Sequence, residues 1–154
     1  MDWNDVLADP ALRDLPYKVE TNGYGQIVMR PLSNLQSRRK AEVAFLLHAL
    51  RERGKVLMGC SVSTFKGVKV VDAAWASEAF LEARGYETPY EQAPEICVEI
   101  STDNEQEMQE RTMLYLARGA QKVWLCSEDG ALRFFGHEGE REAPHLIPDA
   151  PRSL

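Results

Sequence analysis

Glu95-Ile96-Cys97-Val98-Glu99-Ile100-Ser101 is the stretch on which the fold turns. Its nearly continuous apolar run suits a strand buried on both faces, the kind found inside a mixed or parallel sheet. A loop holding Pro89 and Pro94 leads into it. Further upstream, Val56 to Ser63 and Val68 to Trp75 read as strands, with Thr64-Phe65-Lys66-Gly67 between them as a hairpin turn. Ala76 to Arg84 reads as a short helix stopped by Gly85. On the other side, Asp103 or Asn104 caps a long helix closed by Gly119. Val123 to Cys126 is a second buried strand, and Asp129-Gly130 turns the chain into Leu132 to Phe135.

Toward the N-terminus, Ser33 and Asn34 are N-cap residues. Behind them Val43, Leu46, Leu47 and Leu50 recur at helical spacing, predicting one apolar face on a helix that ends at Gly54. Asn22-Gly23-Tyr24-Gly25 signals a turn into a strand over Gly25 to Met29. Residues 2 to 8 form a short helix before Pro10, and the tail with Pro148 and Pro151 reads as loose. This order predicts an α/β (α+β) chain with a mixed central sheet flanked by helices.

The 154 residues match one domain spanning 1–154, with 1–18 as an N-terminal extension and 138–154 as a peripheral tail. Cys60, Cys97 and Cys126 are far apart and form no CxxC, which fits buried thiols in a reducing compartment. The first residues are acidic and no stretch approaches the roughly 20 apolar residues that span a bilayer. The expectation is a cytoplasmic protein with no membrane partner. A net charge of −6 argues against a purely electrostatic nucleic-acid coat.

Two charges stand where a core is expected. Asp72 lies in Val68-Lys69-Val70-Val71-Asp72-Ala73-Ala74-Trp75, and Glu99 in the run from Glu95 to Ser101. An ionised carboxylate among apolar neighbours costs several kcal/mol unless a cation compensates it. Neither strand supplies one beside its acid: Val70 and Ala74 flank Asp72, while Cys97 and Ser101 flank Glu99. The compensation is then either an ion pair with a distant Lys or Arg, or a shared divalent cation. Two carboxylates suit hard cations, Mg²⁺ or Mn²⁺. Zinc does not fit, since His48, His137 and His145 are scattered and form no ligand cluster.

The charge map is uneven. Ser33 to Lys69 holds eight basic and two acidic residues, whereas Ala76 to Glu110 holds ten acids and Arg84 alone. Arg38, Arg39 and Lys40 open the first long helix and are candidates for contacting nucleic-acid phosphates; a merely solvated helix face is the alternative. GxGxxG, GxxxxGK[ST] and GxSxG are all absent. Trp75, Trp124, Phe134 and Phe135 read as core aromatics rather than a base-stacking platform.

Val68 to Trp75, Glu95 to Ser101, Arg111-Thr112-Met113-Leu114-Tyr115 and Gly119-Ala120-Gln121-Lys122-Val123-Trp124-Leu125 together resemble the Uma family of bacterial restriction-endonuclease-like proteins, placed among the PD-(D/E)XK nucleases. Glu20 to Met29 and Pro31 also look like that family's opening strand pair, so the resemblance runs from about Val19 to Phe135. It implies a restriction-endonuclease-like core with metal-binding acids on the central strands. Asp72 matches the motif aspartate, Glu99 the motif glutamate, and Glu20 a third, outer acid at the rim. The family's helix lysine, four residues before the tyrosine, falls on Arg111. Val71 stands where proline usually precedes the motif aspartate. Ser101 occupies the usual lysine position two after the glutamate, and Gln36 is nearest to the first-helix histidine.

The resemblance and the two misplaced acids lead to one expectation, phosphodiester hydrolysis by a metal-activated water. Asp72 and Glu99 hold Mg²⁺ or Mn²⁺, Arg111 orients the water or the phosphate, and Glu20 assists. Arginine stays protonated and is a poor general base, so the rival expectation is a catalytically degenerate module. In that case Arg111 locks the two acids in a structural ion pair, and the protein binds nucleic acid or a protein partner without cutting. DNA is the expected substrate and a homodimer the expected assembly, both by analogy with the fold.

Overall fold

The computed structural model describes residues 2–51, 53–102, 104–141 and 151. Asp103 as an alternative cap, His145 and the expected loose tail with Pro148 lie outside the described residues. The chain begins with α1 (Trp3–Ala8), capped reciprocally by Asp2 and Asp5, and a 3₁₀ turn (Pro10–Leu12). A hairpin of β1 (Tyr17–Thr21) and β2 (Ile27–Pro31) comes next, then α2 (Asn34–Leu50). After it come β3 (Lys55–Thr64), β4 (Gly67–Ala76), α3 (Glu78–Arg84) and β5 (Ile96–Ile100). The chain continues through α4 (Glu105–Ala117), β6 (Lys122–Cys126), β7 (Leu132–Gly136) and β8 (Gly139–Arg141).

Strands β3 to β8 form one sheet in chain order, antiparallel throughout except that β5 and β6 run parallel. The parallel pair needs a crossover, and α4 supplies it. β5 is fully buried, as its apolar run predicts, and so is β6. On β5, Ile96, Val98 and Ile100 pack in one cluster with Val43 and Leu47 of α2 and with Trp124 and Phe134, whose rings meet edge to face at 5.2 Å. Cys97 belongs to the opposite cluster, with Tyr115 and Met108 of α4 and with Phe80 of α3. The two helix layers thus cover both faces of the central strands, and α2 and α4 are what bring charge to the acid-bearing end.

The boundaries differ from expectation where side chains or turns intervene. α2 ends at Leu50, not Gly54, because the backbone turns extended at Arg51 and Arg53 gives its carbonyl to the Trp75 indole. β4 continues through Ala76, and Ser77 caps α3 by accepting from Phe80 N–H. β1 begins at Tyr17, inside the expected extension, and β8 falls within the expected tail.

The β1–β2 hairpin is a separate two-stranded sheet that docks on β4 through side chains. Only Ala73 to Trp75 of β4 pair with β5, so the earlier part of β4 runs past its neighbour. There Val68 N–H donates to Thr21 Oγ1 at 2.8 Å and Val70 N–H to Glu20 Oε2 at 2.6 Å. Gly67 makes this approach possible. Its φ is +89°, and a Cβ there would lie 2.5 Å from the carbonyl oxygens of Thr21 and Asn22.

Candidate active site

Asp72 projects from the middle of β4 and Glu99 from the end of β5, and neighbouring pleats bring their carboxyl groups within hydrogen-bonding reach of each other. The two acids are 6% and 2% exposed. Both line a cavity of about 560 Å³, whose walls also include Lys18 of β1, Lys40 of α2 and Arg111 of α4. The mouth is partly apolar, with Met29 and Leu32. The pair is therefore recessed but opens on space.

Cations reach the acids from three other elements. Lys18 Nζ bridges them, 3.1 Å from Asp72 Oδ1 and 3.0 Å from Glu99 Oε2. Lys40 Nζ lies 3.3 Å from the same Asp72 oxygen. Asp72 Oδ2 accepts from Ile100 N–H at 2.9 Å. Glu99 Oε1 accepts from Tyr115 Oη at 2.5 Å and from Arg111 at 3.4 Å. Burial opposes ionisation of Asp72, but Lys18, the Glu99 hydrogen bond and Lys40 outweigh it and hold the group at about 2. Glu99 goes the other way: burial, then the charge of Asp72, push it up to about 7 against the pull of Lys18 and Arg111. Burial likewise opposes the charge on Lys18, yet Glu99, Asp72 and Glu20 raise its pKa.

Glu20 is buried behind the pair, 1% exposed, rather than at the rim where it was expected. Both of its oxygens meet the Arg111 guanidinium, and one also accepts from Val70 N–H. Burial alone would raise its pKa, but Arg111 and Lys18 lower it. Arg111 is 3% exposed and touches Glu20, Glu99, Tyr115 and Glu107. Its pKa is raised although burial opposes this, chiefly by Glu99. Arg111 thus braces two acids from behind, at helical spacing from Tyr115 on one face of α4.

The remaining candidates divide. Of the three basic residues opening α2, Lys40 reaches the pocket, while Arg38 and Arg39 pair with Glu42 and Arg39 also donates to the Glu128 carbonyl. Ser101 is tied to the Cys126 carbonyl, so the usual lysine position supplies no charge. Gln36 closes the capping box with Ser33. Sequence reasoning missed Lys18. Its one signal was its place two residues before Glu20, on the same side of a short strand.

Among the described residues no three or more His, Cys, Asp or Glu side chains are grouped to hold a metal. The donor set is two carboxylates, the number Mg²⁺ typically takes beside waters and phosphate oxygens. That one ammonium already sits between them marks the position as built to receive positive charge, and the hard oxygen donors fit a Mg²⁺ or Mn²⁺ ion.

No helix among the described residues is long and apolar enough to cross a membrane. No curated protein sequence matches the chain. Among solved structures the fold is similar to that of a "putative nuclease" from Anabaena variabilis, with a TM-score of 0.67 and 14% identity over 88% of this chain and 80% of that one. At sequence level, residues 10–152 match the model of the Uma2 family, described as "Putative restriction endonuclease".

Proposed function

The chain belongs to the Uma2 family, and from that premise we propose that it is a divalent-metal-dependent endonuclease acting on DNA, with Asp72 and Glu99 as the protein ligands of a Mg²⁺ or Mn²⁺ ion. The observation that carries this reading is the convergence of those two carboxylates, from adjacent strands, on one cation position at the floor of an open pocket. An ion bound there supplies charge neutralisation at a phosphate and acidifies a water. In the reaction the water's oxygen bonds to phosphorus, the ester P–O bond opens, and the water's proton passes to the leaving oxygen. Arg111, anchored by Glu20, holds Glu99 at its working angle, and Tyr115 fixes the same oxygen. Lys18 and Lys40 stand on the pocket wall where phosphate oxygens would enter. Arginine in place of the family's helix lysine keeps a permanent charge beside the acids rather than a titratable amine. Two copies acting together would cut both strands.

One observation favours a second reading. Each carboxylate oxygen of Asp72 and Glu99 already has a partner within the chain, as a non-catalytic module stabilised by an ion-pair network would have. Cleavage of supercoiled plasmid in Mn²⁺ separates the two. Wild type nicks, and Glu99→Gln lowers the rate by about a hundredfold or more, equivalent to about 3 kcal/mol of barrier. Mn²⁺ also raises the melting temperature, and the double change Asp72→Ala, Glu99→Ala removes that rise. Equal nicking by wild type and Glu99→Gln, or no Mn²⁺-dependent shift, would leave the ion-pair module standing.

A further inference from the structure

Asp72 Oδ1 faces two ammonium groups, Lys18 at 3.1 Å and Lys40 at 3.3 Å, and Lys18 also holds Glu99 Oε2 at 3.0 Å. These lysines differ in kind from Arg111. The arginine is gripped by Glu20, Glu99 and Glu107 and is 4% exposed along its side chain. The side chains of Lys18 and Lys40 are 10% and 21% exposed and line the cavity. Each ammonium rides on a four-carbon stem that can re-aim it without moving β1 or α2.

We propose that Lys18, seconded by Lys40, is an internal counter-ion that competes with a divalent cation for Asp72 and Glu99 and, once displaced, is handed to a phosphate of the nucleic acid. This rests on the metal-dependent reading of the site. The charge balance carries it. Two ammonium groups face the two carboxylates, so with both acids ionised the resting pocket is balanced. With a divalent cation on the same oxygens, Lys40 loses its acid and Lys18 keeps only its longer contact with Glu20, at 3.9 Å. The pocket then carries two more positive charges than it did at rest. A polyanion is the ligand that restores balance, and a phosphate in the cavity lies within the sweep of both stems. Cation and nucleic acid therefore bind cooperatively, each raising the affinity for the other by the same factor. The lysines keep the acids paired and the pocket unattractive to anions until a divalent cation displaces them.

The test is calorimetric titration of the full chain with Mn²⁺, comparing wild type with Lys18→Met, Lys40→Met and, as a control for loss of one positive charge, Lys66→Met. Lys66 pairs with Glu110 at the surface. Lys18→Met binds Mn²⁺ about tenfold more tightly than wild type, Lys40→Met gains by a smaller factor, and Lys66→Met is unchanged. Lys18→Gln carries the comparison if the methionine variant melts below working temperature. In parallel, the anisotropy of a fluorescein-labelled DNA duplex is followed in Ca²⁺. Ca²⁺ strengthens binding to wild type, and that gain shrinks several-fold in the Lys18 variant. If wild type takes up Mn²⁺ but the Lys18 variants bind it no more tightly, the counter-ion proposal falls and the metal-dependent reading stands. If none of the four proteins takes up Mn²⁺, both fall. An undiminished Ca²⁺ gain in the Lys18 variant overturns the hand-over to phosphate.

Discussion

Arg111 is a single guanidinium on which two buried acids from different elements depend. Removing one partner of a buried ion pair strands the other in low dielectric, at a cost of about 3–5 kcal/mol. Arg111→Ala leaves Glu20 and Glu99 both short of a cation, so urea unfolding is expected to show a loss in that range; a loss below about 1 kcal/mol would mean the network is not braced there. Glu99 makes a second prediction at this scale. Its carboxyl, raised from 4.5 to about 7 chiefly by burial, binds its proton more tightly in the folded chain than in the unfolded one. The stability it contributes is complete below the unfolded value and is lost as pH rises through about 7. Asp72, depressed to about 2, loses its contribution only as pH falls through that value. Metal-free protein should therefore melt at lower temperature near pH 8 than near pH 5, and Glu99→Gln should flatten that slope; parallel slopes would contradict the assignment. Asp72 and Glu99 were legible in the sequence because an acid inside an apolar run demands compensation. Lys18 was not, since its partners are 54 and 81 residues away and nothing local announces them.

At the scale of elements, the β1–β2 hairpin does the work of a missing strand. β4 outruns β5, and the exposed N–H groups of Val68 and Val70 would be left unsatisfied if Thr21 and Glu20 did not accept from them. Thr21→Val keeps the shape and removes one acceptor, so it should cost about 1–3 kcal/mol in chemical denaturation. It should also loosen the seat of Lys18, three residues away. No change in the unfolding midpoint would show that the hairpin is held by other means. The central strands could be read from their apolar runs, α2 from the helical spacing of its apolar face, and α4 from its cap and closing glycine, although its buried face carries Arg111. β1 could not, apart from the family resemblance: its inward face carries Glu20 and Lys18, and a charged buried face has the alternation of a surface strand. Helix ends moved by a few residues where Arg53 serves Trp75 and where Ser77 takes over as cap.

Over the whole molecule, the site collects its charges from β1, α2, β4, β5 and α4, and the links between them span most of the sequence. Glu20 meets Arg111 across 91 residues, and Lys18 meets Glu99 across 81. A chain emerging from the ribosome exposes Glu20, Asp72 and Glu99 in turn, but the guanidinium that secures two of them is synthesised last. A chain that stops before α4 therefore has Glu20 and Glu99 without the side chain that pairs with both. The buried charges are thus balanced late, only once the crossover between the two parallel strands has been made.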